Sequence, residues 1–199
     1  MDNELTFERQ IVKLKKAGYH TLRNIRKIKS LLNSEHVKII VNSLVLSCLD
    51  YCNGLYIGIK ANLIHQLQLL QNTSAKAVTG KYKKDHLGND LKALHWLDFK
   101  KRIIFKIALI AHKAVLGFGP KYIQDMFTYA HHGYTPKLIV PSFNTKFGKR
   151  SFSVIAPRLY NNLPLNLKLA DLKNFKVQLK TFLFILPSSD VEKLLNNKY

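Results

Sequence analysis

Acidic residues are scarce in this chain: twelve Asp and Glu stand against 32 Lys and Arg, a formal charge of +20 over 199 residues. No two carboxylates are adjacent. The sequence therefore offers no bridging pair for a two-metal site, which nucleotide polymerisation and nucleic-acid hydrolysis use. Cysteine is equally sparse. Cys48 and Cys52 are the only two, which excludes a disulfide framework. A zinc ribbon needs four ligands, so this pair, one helical turn apart on an apolar segment, reads as two small buried hydrophobes. The longest apolar stretch, residues 39–49, is broken by Asn42, Ser43 and Ser47 and falls short of the ~20 residues that span a bilayer. The first nine residues carry no basic region followed by an apolar run, so no signal peptide is read there. The expectation is an intracellular protein, nuclear or cytoplasmic, with no membrane partner.

Catalytic signatures are also missing. There is no His-Glu-x-x-His and no Gly-x-Ser-x-Gly. Residues 75–82 imitate a phosphate-binding loop, but Ala75 stands where its first Gly belongs and Tyr82 where its Ser or Thr belongs. A helix, not a strand, precedes them. His131 and His132 form a pair without further ligands nearby, and His95 and His112 flank an apolar helix as packed histidines do. No catalytic residue and no metal site is expected.

What the chain does have is apolar mass and positive charge. A 47% hydrophobic and 11% aromatic content argues for folding, and 199 residues bury enough surface for a core without staples. A polyanionic partner explains the +20 most simply, because solubility does not require it and self-repulsion opposes compaction. A lysine-rich solvated surface is the alternative. Residues 6–32 read as one long amphipathic helix, with a bend at Gly18 as an option. Ile11, Leu14, Ala17, Leu22, Ile25, Ile28 and Leu32 share one face, and Arg9, Lys13, Lys16, His20, Arg23 and Lys27 the opposite one. Surface helices usually alternate charge sign along a face, and this one does not after Glu8. A one-signed row about 27 Å long suits a track of phosphates. A solvated face remains the other reading, and an anionic membrane surface is disfavoured by the lack of aromatic anchors on the apolar side.

Further on, Asn33 or Ser34 caps a helix whose inner stripe reads Val37, Val41, Leu44, Cys48, Tyr51 and Leu55. Residues 62–78 form another helix, stopped at Gly80. A basic cluster, Lys81, Tyr82, Lys83 and Lys84, follows it. Its tyrosine suits either stacking on a base or resting on the surface. Residues 98–116 read as a central buried helix, capped by Asp98 and stopped by Gly117, with Arg102, Lys106 and Lys113 left for water or an anion. Trp96 packs beside it. Helix signals recur at 120–129, 151–162 and 171–184. The expected architecture is all-α: a multi-helix bundle over residues 1–129, an irregular linker over 130–150, a C-terminal helical segment over 151–186 and a weakly helical tail over 187–199.

Several strings, read in order, carry a resemblance. They are Leu49-Asp50-Tyr51-Cys52-Asn53; Leu67-Gln68-Leu69-Leu70-Gln71-Asn72 with Ala77-Val78-Thr79-Gly80; and Leu94-His95-Trp96-Leu97 with Lys101-Arg102-Ile103 and Phe105-Lys106. Gly148-Lys149-Arg150-Ser151-Phe152-Ser153, then Ala156-Pro157-Arg158-Leu159-Tyr160-Asn161-Asn162-Leu163-Pro164, and Phe175-Lys176 with Leu179-Lys180 complete the set. Together they resemble the thumb and C-terminal region that follows the palm in reverse transcriptases of jockey-type and related non-LTR (LINE-like) retrotransposons. Asp98-Phe99 stands where that family commonly has Pro-Val, and Tyr160 where Trp is frequent.

The resemblance implies a partial RNA-directed DNA polymerase, inactive alone, since fingers, palm and endonuclease are absent from these residues. Magnesium would belong to that missing palm, and no cofactor is implied here. The partner implied is the backbone of an RNA template and its DNA primer. Arg9, Lys13, Lys16, Arg23 and Lys27 are the leading grip residues, and Lys81, Lys83, Lys84, Lys149 and Arg150 the second tier. The alternatives are a stand-alone basic nucleic-acid-binding protein derived from such an element, a helical protein that meets an acidic partner, and a remnant without function.

Overall fold

Apolar residues recurring every three or four positions build a helical protein, and a computed structural model describes residues 6–82, 84–87, 89–130 and 137–196 of it. Among the described residues the fold is all-α, with one isolated antiparallel bridge between Tyr129 and Leu138. The chain divides into two compact units, Met1–Ile103 and Ile104–Tyr199.

In the first unit, α1 (Glu8–Ile28) buries Ile11, Gly18, Leu22 and Ile25 and ends in a 3-10 turn over Lys29–Leu31. The helix runs on through Gly18 without interruption. That glycine instead serves close approach: a Cβ there would lie 2.7 Å from Leu70 Cδ2. The next helical run has three parts, α2 (Ser34–Val41), a π turn over Asn42–Leu46, and α3 (Ser47–Asp50). Asn33 is the cap, its side-chain oxygen accepting from the His36 amide at 2.8 Å.

The π turn corrects the expected inner stripe. A wider turn delays the next inward position, so Val37 and Val41 are followed inside by Val45, Leu46 and Leu49. Leu44, Tyr51 and Leu55 are exposed, and so are Cys48 and Cys52, which are not the buried hydrophobes expected. Serine hydroxyls accompany the widening. Ser43 Oγ donates to the Ile39 carbonyl at 2.9 Å and Ser47 Oγ to that of Ser43.

A 3-10 turn, Asn53–Tyr56, leads to α4 (Ala61–Thr79), which packs along α1 and stops at Gly80 with φ of 81°. Lys29 Nζ donates to the Ala77 carbonyl at 2.6 Å, covering one free acceptor at the end of α4. The short α5 (Asp90–Ala93) precedes a buried Trp96, as expected. At the amino end of α6 (Phe99–Val115) the first amide is not left to water: Gln68 Oε1 accepts from the Phe99 N–H at 2.7 Å. Arg102 is not left for water or an anion either. Its Nε donates to Asp50 Oδ1 at 2.9 Å, and its second guanidinium nitrogen pairs with Oδ2.

The second unit takes up α6 from Ile104 onward. Ile107, Ala108, Ala111, His112 and Ala114 are buried there, and Gly117 stops the helix with φ of 78°. The expected helix at 120–129 is only the short α7 (Lys121–Gln124). Residues 137–150, read as irregular, include the Leu138 end of the bridge and α8 (Lys146–Lys149). Then come α9 (Phe152–Asn161), α10 (Leu165–Lys168), α11 (Leu172–Ile185) and α12 (Ser188–Asn196).

Asn161 holds Leu138 by both edges, its Oδ1 accepting from the Leu138 amide at 2.9 Å and its Nδ2 donating to the carbonyl at 2.7 Å. Within the tail, read as weakly helical, residues 188–196 form α12. Val191 and Leu194 are buried, and Asn162 Nδ2 donates to the Leu194 carbonyl at 2.9 Å.

Candidate nucleic-acid interface

Because Ile11, Gly18, Leu22 and Ile25 turn α1 inward, the positions half a turn away must face solvent. Arg9, Lys13, Lys16, His20, Arg23 and Lys27 all do: each is exposed. Among the described residues none of Arg9, Lys13, Lys16, Arg23 and Lys27 takes part in an ion pair. The acid that opens the helix, Glu8, is already paired with Lys60 at 2.8 Å. The row therefore presents unopposed positive charge over about 27 Å of helix. Val12, Lys15, Lys16, Tyr19, His20 and Arg23 line a shallow groove along it.

Two cations on the flank were not singled out from the sequence. Arg26 and Lys76 line a concavity of about 310 Å³ with Tyr19 and Thr73. Lys76 comes from α4, and nothing in the spacing of either helix alone shows that the two basic residues meet. Lys15 and Lys29 are tied to α4 by hydrogen bonds. Lys15 Nζ donates to Gln66 Oε1 at 2.8 Å, and Lys29 has its ammonium pKa lowered, first by burial and then by the nearby Arg26.

The second tier scatters. Lys81 is committed within the fold, with Nζ 2.7 Å from Asp90 Oδ2 and 3.1 Å from the His86 carbonyl oxygen, so it is not an open cation. Lys84 is exposed, and Lys83 lies outside the described residues. In the second unit Lys149 is exposed, whereas the Arg150 guanidinium lies 4.8 Å from the centre of the Phe147 ring.

His112 is fully buried in the second unit. It stacks on Phe175 with ring centres 3.7 Å apart, and its Nε2 donates to the Ala170 carbonyl at 2.9 Å. Nδ1 then faces the Tyr160 hydroxyl at 3.4 Å. Burial holds its pKa below the ordinary histidine value, against the opposing pull of the Ala170 carbonyl and Asp171. Burial likewise pushes the Tyr160 phenol up to about 12. A neutral, fully covered imidazole is a structural strut, with no face open to a substrate. Among the described residues no three His, Cys, Asp or Glu side chains gather as metal ligands, and His131 and His132 lie outside them. No helix among them is long and apolar enough to cross a membrane. The arrangement is suited to holding an extended anion along α1. Compared with protein-family models, curated proteins and solved structures, the chain matches none.

Proposed function

We propose that this chain grips the sugar–phosphate backbone of a nucleic acid along α1, as the thumb and C-terminal part of a non-LTR retrotransposon reverse transcriptase does for its template and primer. The observation that carries the reading is the exposed, one-signed row Arg9, Lys13, Lys16, Arg23 and Lys27, with no ion-pair partner among the described residues. Contacts of this kind fix the register of a duplex and carry no sequence information. Bond-making residues and magnesium would belong to a palm outside these 199 residues. The ordered strings from Leu49 to Lys180 support the family assignment, and the all-α fold is compatible with it.

A salt titration of duplex binding tests the grip. Some four to seven phosphate contacts give a log–log slope of roughly −4 to −6. A slope near zero refutes it. The family assignment is tested separately by the DNA upstream of Met1. A continuous frame into a palm with paired aspartates supports a polymerase part, whereas a dedicated start leaves a backbone-binding module.

A further inference from the structure

The row on α1 ends in a cleft. Where the helix begins, Arg9, Gln10 and Lys13 form one wall, and Tyr51, Leu55 and Tyr56 from the 3-10 turn and its approach form the other. The space is about 370 Å³, within the roughly 300–1,000 Å³ typical of small-ligand sites. We propose that this cleft takes one unpaired nucleobase of a strand lying along α1, the base stacking on Tyr51 while Arg9 and Lys13 hold its phosphates. This rests on the reading of α1 as a backbone track.

Four features converge. Tyr51 is 75% exposed and Leu55 50% exposed, so a flat aromatic face and an apolar edge stand open to solvent. The back wall is fixed: Tyr56 is buried, meets Phe7 edge-on at 5.5 Å between ring centres, and lies 6.4 Å from Phe99. Gln10 contributes an amide able both to donate and to accept, which suits the polar edge of a base. Arg9 and Lys13 are also the first two members of the row, so a strand tracking α1 delivers its end into the cleft. An aromatic plate beside two unopposed cations matches the way single-stranded nucleic acid is held, with bases stacked and backbone neutralised. An apolar peptide would leave the cations without use.

The test uses the full chain and three short duplexes: blunt, with a one-nucleotide overhang, and with the same overhang made abasic. The overhang is expected to bind roughly tenfold more tightly than the other two, within the range that base–aromatic stacking delivers. Tyr51→Ala abolishes that preference and Tyr51→Phe retains it. Tyr51 is largely exposed, so neither change disturbs packing. In a Cys48→Ser background, alkylation of the cleft residue Cys52 slows when the overhang duplex is bound and not when the blunt one is. Equal affinities for all three duplexes with a steep salt slope overturn the cleft and leave the backbone track standing. A Tyr51→Ala variant that weakens all three equally also overturns it. A flat salt slope removes the track itself.

Discussion

Replacing Gly18 by alanine tests how tightly α1 is seated, and the expected sign depends on one neighbour. In isolation the change favours a helix by about 0.5–1 kcal/mol. Here the new methyl group would lie 2.7 Å from Leu70 Cδ2, 3.0 Å from Cδ1 and 3.4 Å from Cγ. Leu70 is fully buried and cannot swing into solvent. Overpacking of this kind costs about 1–3 kcal/mol, so the net effect is a loss of up to about 2 kcal/mol. Leu70→Ala alone costs about 2–5 kcal/mol through the cavity it leaves. In that background the alanine at position 18 has room, and Gly18→Ala should stabilise by about 1 kcal/mol. The cycle therefore shows a coupling of about 2 kcal/mol with a change of sign, read from urea unfolding midpoints at constant m. If Gly18→Ala stabilises the parent as much as it stabilises the Leu70→Ala variant, the two helices do not approach as described and the outward direction of the basic row loses its anchor.

Changing Arg9, Lys13, Lys16, Arg23 and Lys27 together to Gln should remove five contacts worth roughly −0.9 each, flattening the duplex salt slope by about 4.5. Helix content by circular dichroism should be unchanged, because all five are exposed and Gln is a comparable helix former. An unaltered slope would place the binding surface elsewhere. Asp50→Asn should cost about 1–3 kcal/mol in chemical unfolding, because the Arg102 side chain, 13% exposed, loses its charged partner.

His112 sets a pH dependence. Its pKa is lower folded than unfolded, so the unfolded state binds more protons in between, and stability falls as pH drops through about 6.5 toward the folded value. His112→Gln should remove that portion of the slope in unfolding measured from pH 7.5 down to 5. An identical slope in the variant would mean that other groups carry it.

The parts of the fold visible from sequence were those governed by local period. The burial of Ile11, Leu22 and Ile25 and the exposure of the basic row on α1 follow from 3.6-residue spacing, although Ala17 and Ile28, read on the inward face, are exposed; the stops at Gly80 and Gly117 follow from the left-handed conformation they adopt. Pairings set by distant residues stayed hidden. Gln68 reaches the start of α6 from 31 residues away and Asp50 reaches Arg102 across 52, and neither separation leaves a trace in a periodicity. Lys81 looked open because its partner Asp90 arrives only when the intervening chain turns back. The inner stripe beyond Asn42 failed for a different reason: the count of residues per turn changed within the helix. For the cleft, an exposed Tyr51 was the missing clue, and the uniform helix assumed from sequence had placed that side chain inside.

The widened turn at Asn42–Leu46 acts as a phase shifter for everything after it. Wound as an ordinary α-helix, the same residues would carry each later side chain round by about 100°. Leu44 and Cys48 would then compete for the interior that Val45 and Leu49 now fill. The aromatic lip at Tyr51 would be carried round with them. The width of this one turn, which takes up an extra residue, thus decides which side chains line this face of the molecule.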